Sequence, residues 1–123
     1  MPEVKPEIEG VVKIAVVGVG GGGNAAVTRM VEAKIRGVEF IAFNTDLQDL
    51  HQCQAKTKLN LGKGVTAGKG AGMNPELGKR AAIESKEELT EGLIGADMIF
   101  LAAGLGGGTG GGAIPVVAEI ARS

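Results

Sequence analysis

Tryptophan and tyrosine are absent from this 123-residue chain, and phenylalanine occurs only three times. All three phenylalanines fall within segments that read as strands, so no aromatic side chain is left free to stack a base. A single cysteine, Cys53, excludes an intramolecular disulfide and agrees with a reducing, cytoplasmic setting. The one histidine, His51, stands two residues away, with no second such pair to complete a metal site. Both are expected to be ordinary surface residues. Apolar runs are short: Met98 to Ala103, among the longest, falls far below the length needed to span a bilayer. Glu3, Lys5, Glu7 and Glu9 interrupt the N-terminal stretch, so it does not read as a signal peptide. The formal net charge is −1 with both signs interspersed, which gives no footprint for nucleic acid and none for a membrane.

What the chain does have is glycine, 22 of them, gathered in clusters between well-formed apolar segments. Residues 1–12 read as a flexible leader. Lys13 to Val17 is a β-branched apolar run, expected to be a buried strand. After a first glycine loop, Gly18 to Gly23, a helical pattern places Val27, Met30, Val31 and Ile35 on one face and stops at Gly37. Glu39 to Phe43 predicts a second strand, ending in Asn44-Thr45-Asp46, then a short helix over Leu47 to Gln52 and a strand near Lys58 to Leu61. The second glycine loop runs from Gly62 to Gly72. Asn74-Pro75 supplies a helix N-cap and a first-turn proline. Ser85 and Glu88 have the spacing of a capping box, opening a helix with Leu89 and Leu93 inward. Met98 to Ala103 is apolar at every position, so both faces of that strand are expected to be covered. The third loop, Gly104 to Gly112, leads to a last helix whose first turn Pro115 marks. Strands alternating with helices predict an α/β fold, a Rossmann-like parallel sheet with helices on both faces.

In such sheets ligands bind beyond the carboxyl ends of the strands. Each glycine loop sits at such an end and precedes a helical segment. Glycine lets backbone approach a ligand closely, and successive N–H groups can surround an anion. The following helix adds unpaired N–H donors and the positive end of its dipole. Three loops on one sheet edge therefore suit a chain of phosphates. Thr109, the lone hydroxyl among the glycines of the third loop, is the best candidate for a side-chain phosphate contact. The second loop has an alternative reading as a mobile surface excursion, and Asn44-Thr45-Asp46 has one as a helix cap.

Gly18-x-Gly20-x-x-Gly23 after a strand also matches the dinucleotide fingerprint, with Asp46 as the ribose-binding acid. That alternative, an NAD-binding module of an oxidoreductase, uses one glycine loop and leaves two idle. A P-loop is excluded, because Gly62-Lys63 and Gly68-Lys69 both continue with glycine instead of Ser or Thr. No nucleophile–base spacing supports covalent catalysis.

Gly104-Leu-Gly-Gly-Gly-Thr-Gly-Gly-Gly112 resembles the signature loop of the tubulin/FtsZ GTPase family. Gly18 to Asn24, Gly37 to Asp46, Gly70 to Pro75 and Gly95 to Phe100 resemble its bacterial cell-division branch, in the same order. The similarity extends from Lys13 to Ala121. It implies GTP or GDP binding, with Mg²⁺ accompanying the nucleotide. From the first loop Gly20, Gly21, Gly22, Gly23, Asn24 and Ala25 would contact it, followed by Asn44, Thr45 and Asp46. Ala71, Gly72 and Met73 would approach the terminal phosphate, and Gly104, Gly106, Gly107, Gly108, Thr109, Gly110 and Gly111 would wrap the phosphates. The resemblance further implies a head-to-tail homopolymer whose next subunit completes the site, other division proteins as partners, and location in the cytoplasm at the mid-cell division ring. Three positions depart from the family pattern: Gly111 replaces a usual hydroxyl residue, Ala25 a common asparagine, and Met73 a smaller residue. The family's base-reading residues, catalytic acidic loop and second domain would lie past Ser123. Residues 13–123 are accordingly expected to be the N-terminal part of a GTP-binding domain, inactive in hydrolysis alone.

Overall fold

The structure, a computed structural model, describes residues 12–72, 74–104 and 108–122. Most of the leader expected over residues 1–12 therefore lies outside the described residues, as do Met73, Gly106 and Gly107. Four strands, β1 (Ile14–Val19), β2 (Glu39–Asn44), β3 (Thr57–Asn60) and β4 (Met98–Ala103), form one sheet in the order β3-β2-β1-β4. All pairings are parallel, with Val17 between Ile41 on one side and Leu101 on the other. The helices are α1 (Gly20–Glu32), α2 (Leu47–Gln52), α3 (Lys63–Thr66), α4 (Pro75–Glu84), α5 (Lys86–Leu93) and α6 (Gly108–Arg122).

Strand alternation divides the core in two. Ala15, Val17, Val19, Ile41 and Phe43 face α4, α5 and α6, packing on Ala81, Leu89 and Val117. Val16 and Ala42 face the other way, onto Val27 of α1 and Leu50 of α2. The α/β architecture with helices on both faces is thus present. Phe43, 1% exposed, is the largest fully buried side chain, and burying such a ring contributes about 1.5–3 kcal/mol.

Several local expectations are corrected. Met98 and Phe100 are about half exposed instead of covered. Both sit in the first half of the edge strand, whereas Gly23 of α1 meets β4 near its carboxyl end, at the carbonyl of Ala102, and neither Met98 nor Phe100 joins the two buried clusters. Helix α1 ends at Glu32, so Ile35 lies past it and is exposed. Ser85 makes no cap bond to α5; its hydroxyl accepts a hydrogen bond from Gly62 N at 2.9 Å instead. Cys53 is buried, its thiol 3.5 Å from the carbonyl oxygen of Asn24, whereas His51 is exposed as expected.

The largest departure is α6. It begins at Gly108, so Pro115 is interior and donates no bond to the carbonyl four residues back. Five glycine-rich residues thought to be loop are helical because they press backbone to backbone on α4. A Cβ on Gly112 would overlap the Pro75 carbonyl oxygen, and one on Gly78 would overlap that of Gly108. Only glycine permits that approach, and tertiary packing overrides the poor helix propensity.

Candidate functional site

At the first corner there is hardly any loop. Strand β1 ends at Val19 and α1 starts at Gly20, which takes the left-handed conformation at φ +77°. Val19 offers no side-chain cap, so the first-turn N–H groups have no acceptor within the helix. Gly20, Gly21 and Gly22 line a cleft at the carboxyl end of the sheet. At Gly20 and Gly22 a side chain has no room: a Cβ on Gly20 would stand 2.9 Å from Gly110 N, and one on Gly22 2.8 Å from Gly104 Cα. The first and third glycine segments therefore touch.

The second segment is pinned, which does not fit a mobile excursion. Left-handed Gly62 and Ala67 bracket the single turn of α3. The chain then passes Gly68, Gly70 and Gly72, all at positive φ, and pairs with the end of β2. Leu47 N donates to Gly68 O at 2.9 Å, and Gly70 N donates to Thr45 O at 3.2 Å. Asp46 caps α2, accepting from Gln48 N and Asp49 N, and its backbone bridges to Lys69.

The third segment is the first turn of α6. Gly108 N donates to Gly72 O at 3.1 Å, tying it to the second. The Thr109 hydroxyl lies 2.5 Å from that of Thr45, with both side chains buried. One hydroxyl hydrogen is spent within this pair, which leaves one to donate elsewhere.

Together these segments enclose about 370 Å³, the small end of ligand-site volumes. Of the residues singled out from sequence, Gly20, Gly21, Gly22, Asn44, Thr45 and Asp46 line the cleft. Ala71, Gly72, Gly104, Gly108, Thr109 and Gly110 do as well. Four stand apart. Gly23 is packed beneath Ala102 O. The buried Asn24 amide donates to Gly18 O at 2.9 Å and Phe43 O at 3.3 Å, while its oxygen accepts from Asn44. Ala25 lines a neighbouring groove with Thr28, Arg29 and Cys53, and Gly111 lies on the exposed side of α6. Sequence reasoning missed Val19, Asp49, Lys69 and Gly70 as lining residues. Asp49 could have been found from its helical spacing to Asp46, and Lys69 as the cation inside the second glycine cluster.

Comparison with known proteins agrees with this geometry. Residues 13–123 match the family model "Tubulin/FtsZ family, GTPase domain". The cell division protein FtsZ of Pseudomonas aeruginosa is 55% identical over 109 residues, covering 89% of this chain and 28% of that protein. The structure of an empty FtsZ dimer from M. jannaschii superposes with a TM-score of 0.90 at 46% identity, over 99% of this chain and 37% of that one. CetZ2 from Haloferax volcanii, solved as a GTPγS-bound protofilament, gives a TM-score of 0.76 at 29% identity, over 88% of this chain and 35% of its own. The chain thus spans about a third of the length of these relatives. The dinucleotide alternative is not favoured, since the second and third glycine segments line the same cleft as the first. Sequence, fold and cleft converge on one assignment: the chain belongs to the tubulin/FtsZ family of GTPases.

Proposed function

We propose that the cleft holds the phosphate chain of GTP or GDP, and that the chain serves a cell-division GTPase polymerising head-to-tail into filaments. The observation carrying this reading is the convergence of two helix N-termini, α1 and α6, on one small cleft walled largely by glycine backbone. Backbone N–H groups there can donate to anionic oxygens without side-chain rearrangement, aided by both helix dipoles. Gly20, Gly21 and Gly22 donate from the first segment, Gly110 from the third. Ala71 and Gly72 approach the terminal phosphate. The spare hydroxyl hydrogen of the Thr45–Thr109 pair adds a side-chain donor. Asn24 and Gly23 act from behind, holding the β1–α1 corner in shape.

A magnesium ion fits as part of the nucleotide. Asp46 and Asp49 are the carboxylates on the cleft, and no group of three metal-ligating side chains occurs among the described residues. Mg²⁺ commonly keeps several waters and binds through phosphates with one or two carboxylates. Its chemistry is to neutralise phosphate charge. Hydrolysis is proposed for the polymer, where a neighbouring subunit completes the site; relatives solved as a dimer and as a protofilament support this. The proposed location is the cytoplasm at the division ring, with other division proteins as partners. No helix among the described residues is long and apolar enough to cross a membrane.

The test is calorimetric titration of the chain with GTP, GDP, ATP and NADH, each with magnesium. Binding of guanosine nucleotides, or equal weak binding of every triphosphate, supports a phosphate cradle. Binding of NADH alone would overturn it.

A further inference from the structure

We infer that Lys69 is a phosphate-positioning residue of this cleft, supplying its cation; this rests on the nucleotide reading above. The cleft has an electrostatic difficulty. Asp46 and Asp49 stand on its wall, and two carboxylates repel a polyphosphate. Lys69 is the basic residue among those lining it. Its side chain is exposed, and among the described residues no hydrogen bond or ion pair engages its ammonium, although Asp46 is its backbone bridge partner. An unpaired lysine beside two carboxylates remains available to a more highly charged anion.

The backbone fixes where that ammonium starts. Gly68 and Gly70 flank Lys69 at φ +80° and +90°, and both are tied to β2 and α2, by Gly68 O to Leu47 N and by Gly70 N to Thr45 O. Lys69 N itself donates to Thr66 O at 3.0 Å. The residue is thus held on the rim by its main chain, while its side chain keeps the freedom to fold over a ligand. A lysine acts here as a compact point charge, suited to a phosphate oxygen without demanding a fixed geometry.

The experiment compares the chain with its Lys69→Met, Lys69→Arg and Lys56→Met forms. Lys56 carries the same charge at the opposite end of the sheet, where β3 begins. Circular dichroism first establishes that all fold alike. Dissociation constants for GTP and for pyrophosphate, both with magnesium, are then measured between low and moderate salt. Lys69→Met is expected to weaken both ligands about five- to tenfold and to flatten the salt dependence, because one screened charge contact is gone. Lys69→Arg and Lys56→Met are expected to stay within about twofold. Equal affinity and equal salt dependence for Lys69→Met and the unaltered chain would overturn the role of Lys69 and leave the cleft reading in place. Failure of the unaltered chain to bind either ligand would overturn both.

Discussion

The hydroxyls of Thr45 and Thr109 lie 2.5 Å apart, joining the end of β2 to the first turn of α6 across 64 residues of sequence. Both side chains are buried at the floor of the cleft, so a hydroxyl that loses its partner has little access to replacement water. Thr45→Val or Thr109→Val alone is expected to destabilise the fold by about 1–3 kcal/mol, since the remaining hydroxyl is left unsatisfied. The double substitution should cost clearly less than the sum. Urea unfolding of the four proteins measures this coupling, and strict additivity would show that the two hydroxyls act independently.

Neighbouring glycines on α6 are expected to respond in opposite ways. A Cβ on Gly112 would overlap the Pro75 carbonyl, so Gly112→Ala should cost about 3 kcal/mol. A Cβ on Gly111 meets nothing, so Gly111→Ala should gain about 0.5–1 kcal/mol from helix propensity. Thermal melts decide the matter. Destabilisation by both would mean that Gly111 also needs its backbone freedom.

Gly21→Ala separates binding from folding. The added methyl would meet only the Asp49 carboxylate, at 3.3 Å, and that flexible side chain can move aside. Stability is expected to stay within about 0.5 kcal/mol of the parent. A methyl on the cleft wall should nonetheless lower GTP affinity at least about tenfold, because it displaces phosphate from the helix N–H groups. Paired calorimetry and melting read both effects, and unchanged affinity would remove Gly21 from the phosphate path.

Asp46 caps α2 through two hydrogen bonds, Gln48 N at 2.9 Å and Asp49 N at 3.2 Å. Asp46→Ala should therefore cost about 1 kcal/mol, while Asp46→Asn, which keeps the accepting oxygen, should cost only a few tenths. Chemical denaturation midpoints compare the two. Equal losses would place the role of Asp46 in its charge instead of its cap.

Much of this was legible because it is local. The β-branched run Ile14 to Val17 marked β1, the apolar run Phe40 to Phe43 marked β2, and Asn74-Pro75 opened α4, its Asn74 oxygen accepting from Glu76 N and Leu77 N. The three glycine clusters located the cleft for the same reason, each sitting at a strand's carboxyl end. What escaped was decided by distant partners. Ser85 has the local pattern of a cap, yet the Gly62 N–H arrives from 23 residues away and takes its hydroxyl. Asn24 sits among phosphate candidates, but its side chain is turned into the core by the carbonyls of Gly18 and Phe43. Pro115 suggested a helix start because nothing in the sequence reveals that the preceding glycines pack against α4.

That glycine-on-glycine contact has a mechanical consequence. Gly78 lies directly on the backbone of Gly108 and Gly112 on that of Pro75, with no side chain in between to compress or rotate, so sliding α4 past α6 would drive backbone into backbone. Gly72, just before α4, is hydrogen-bonded to Gly108 at the head of α6. Displacing either segment must carry the other with it, and the two walls of the cleft work as one geared part instead of two separate flaps.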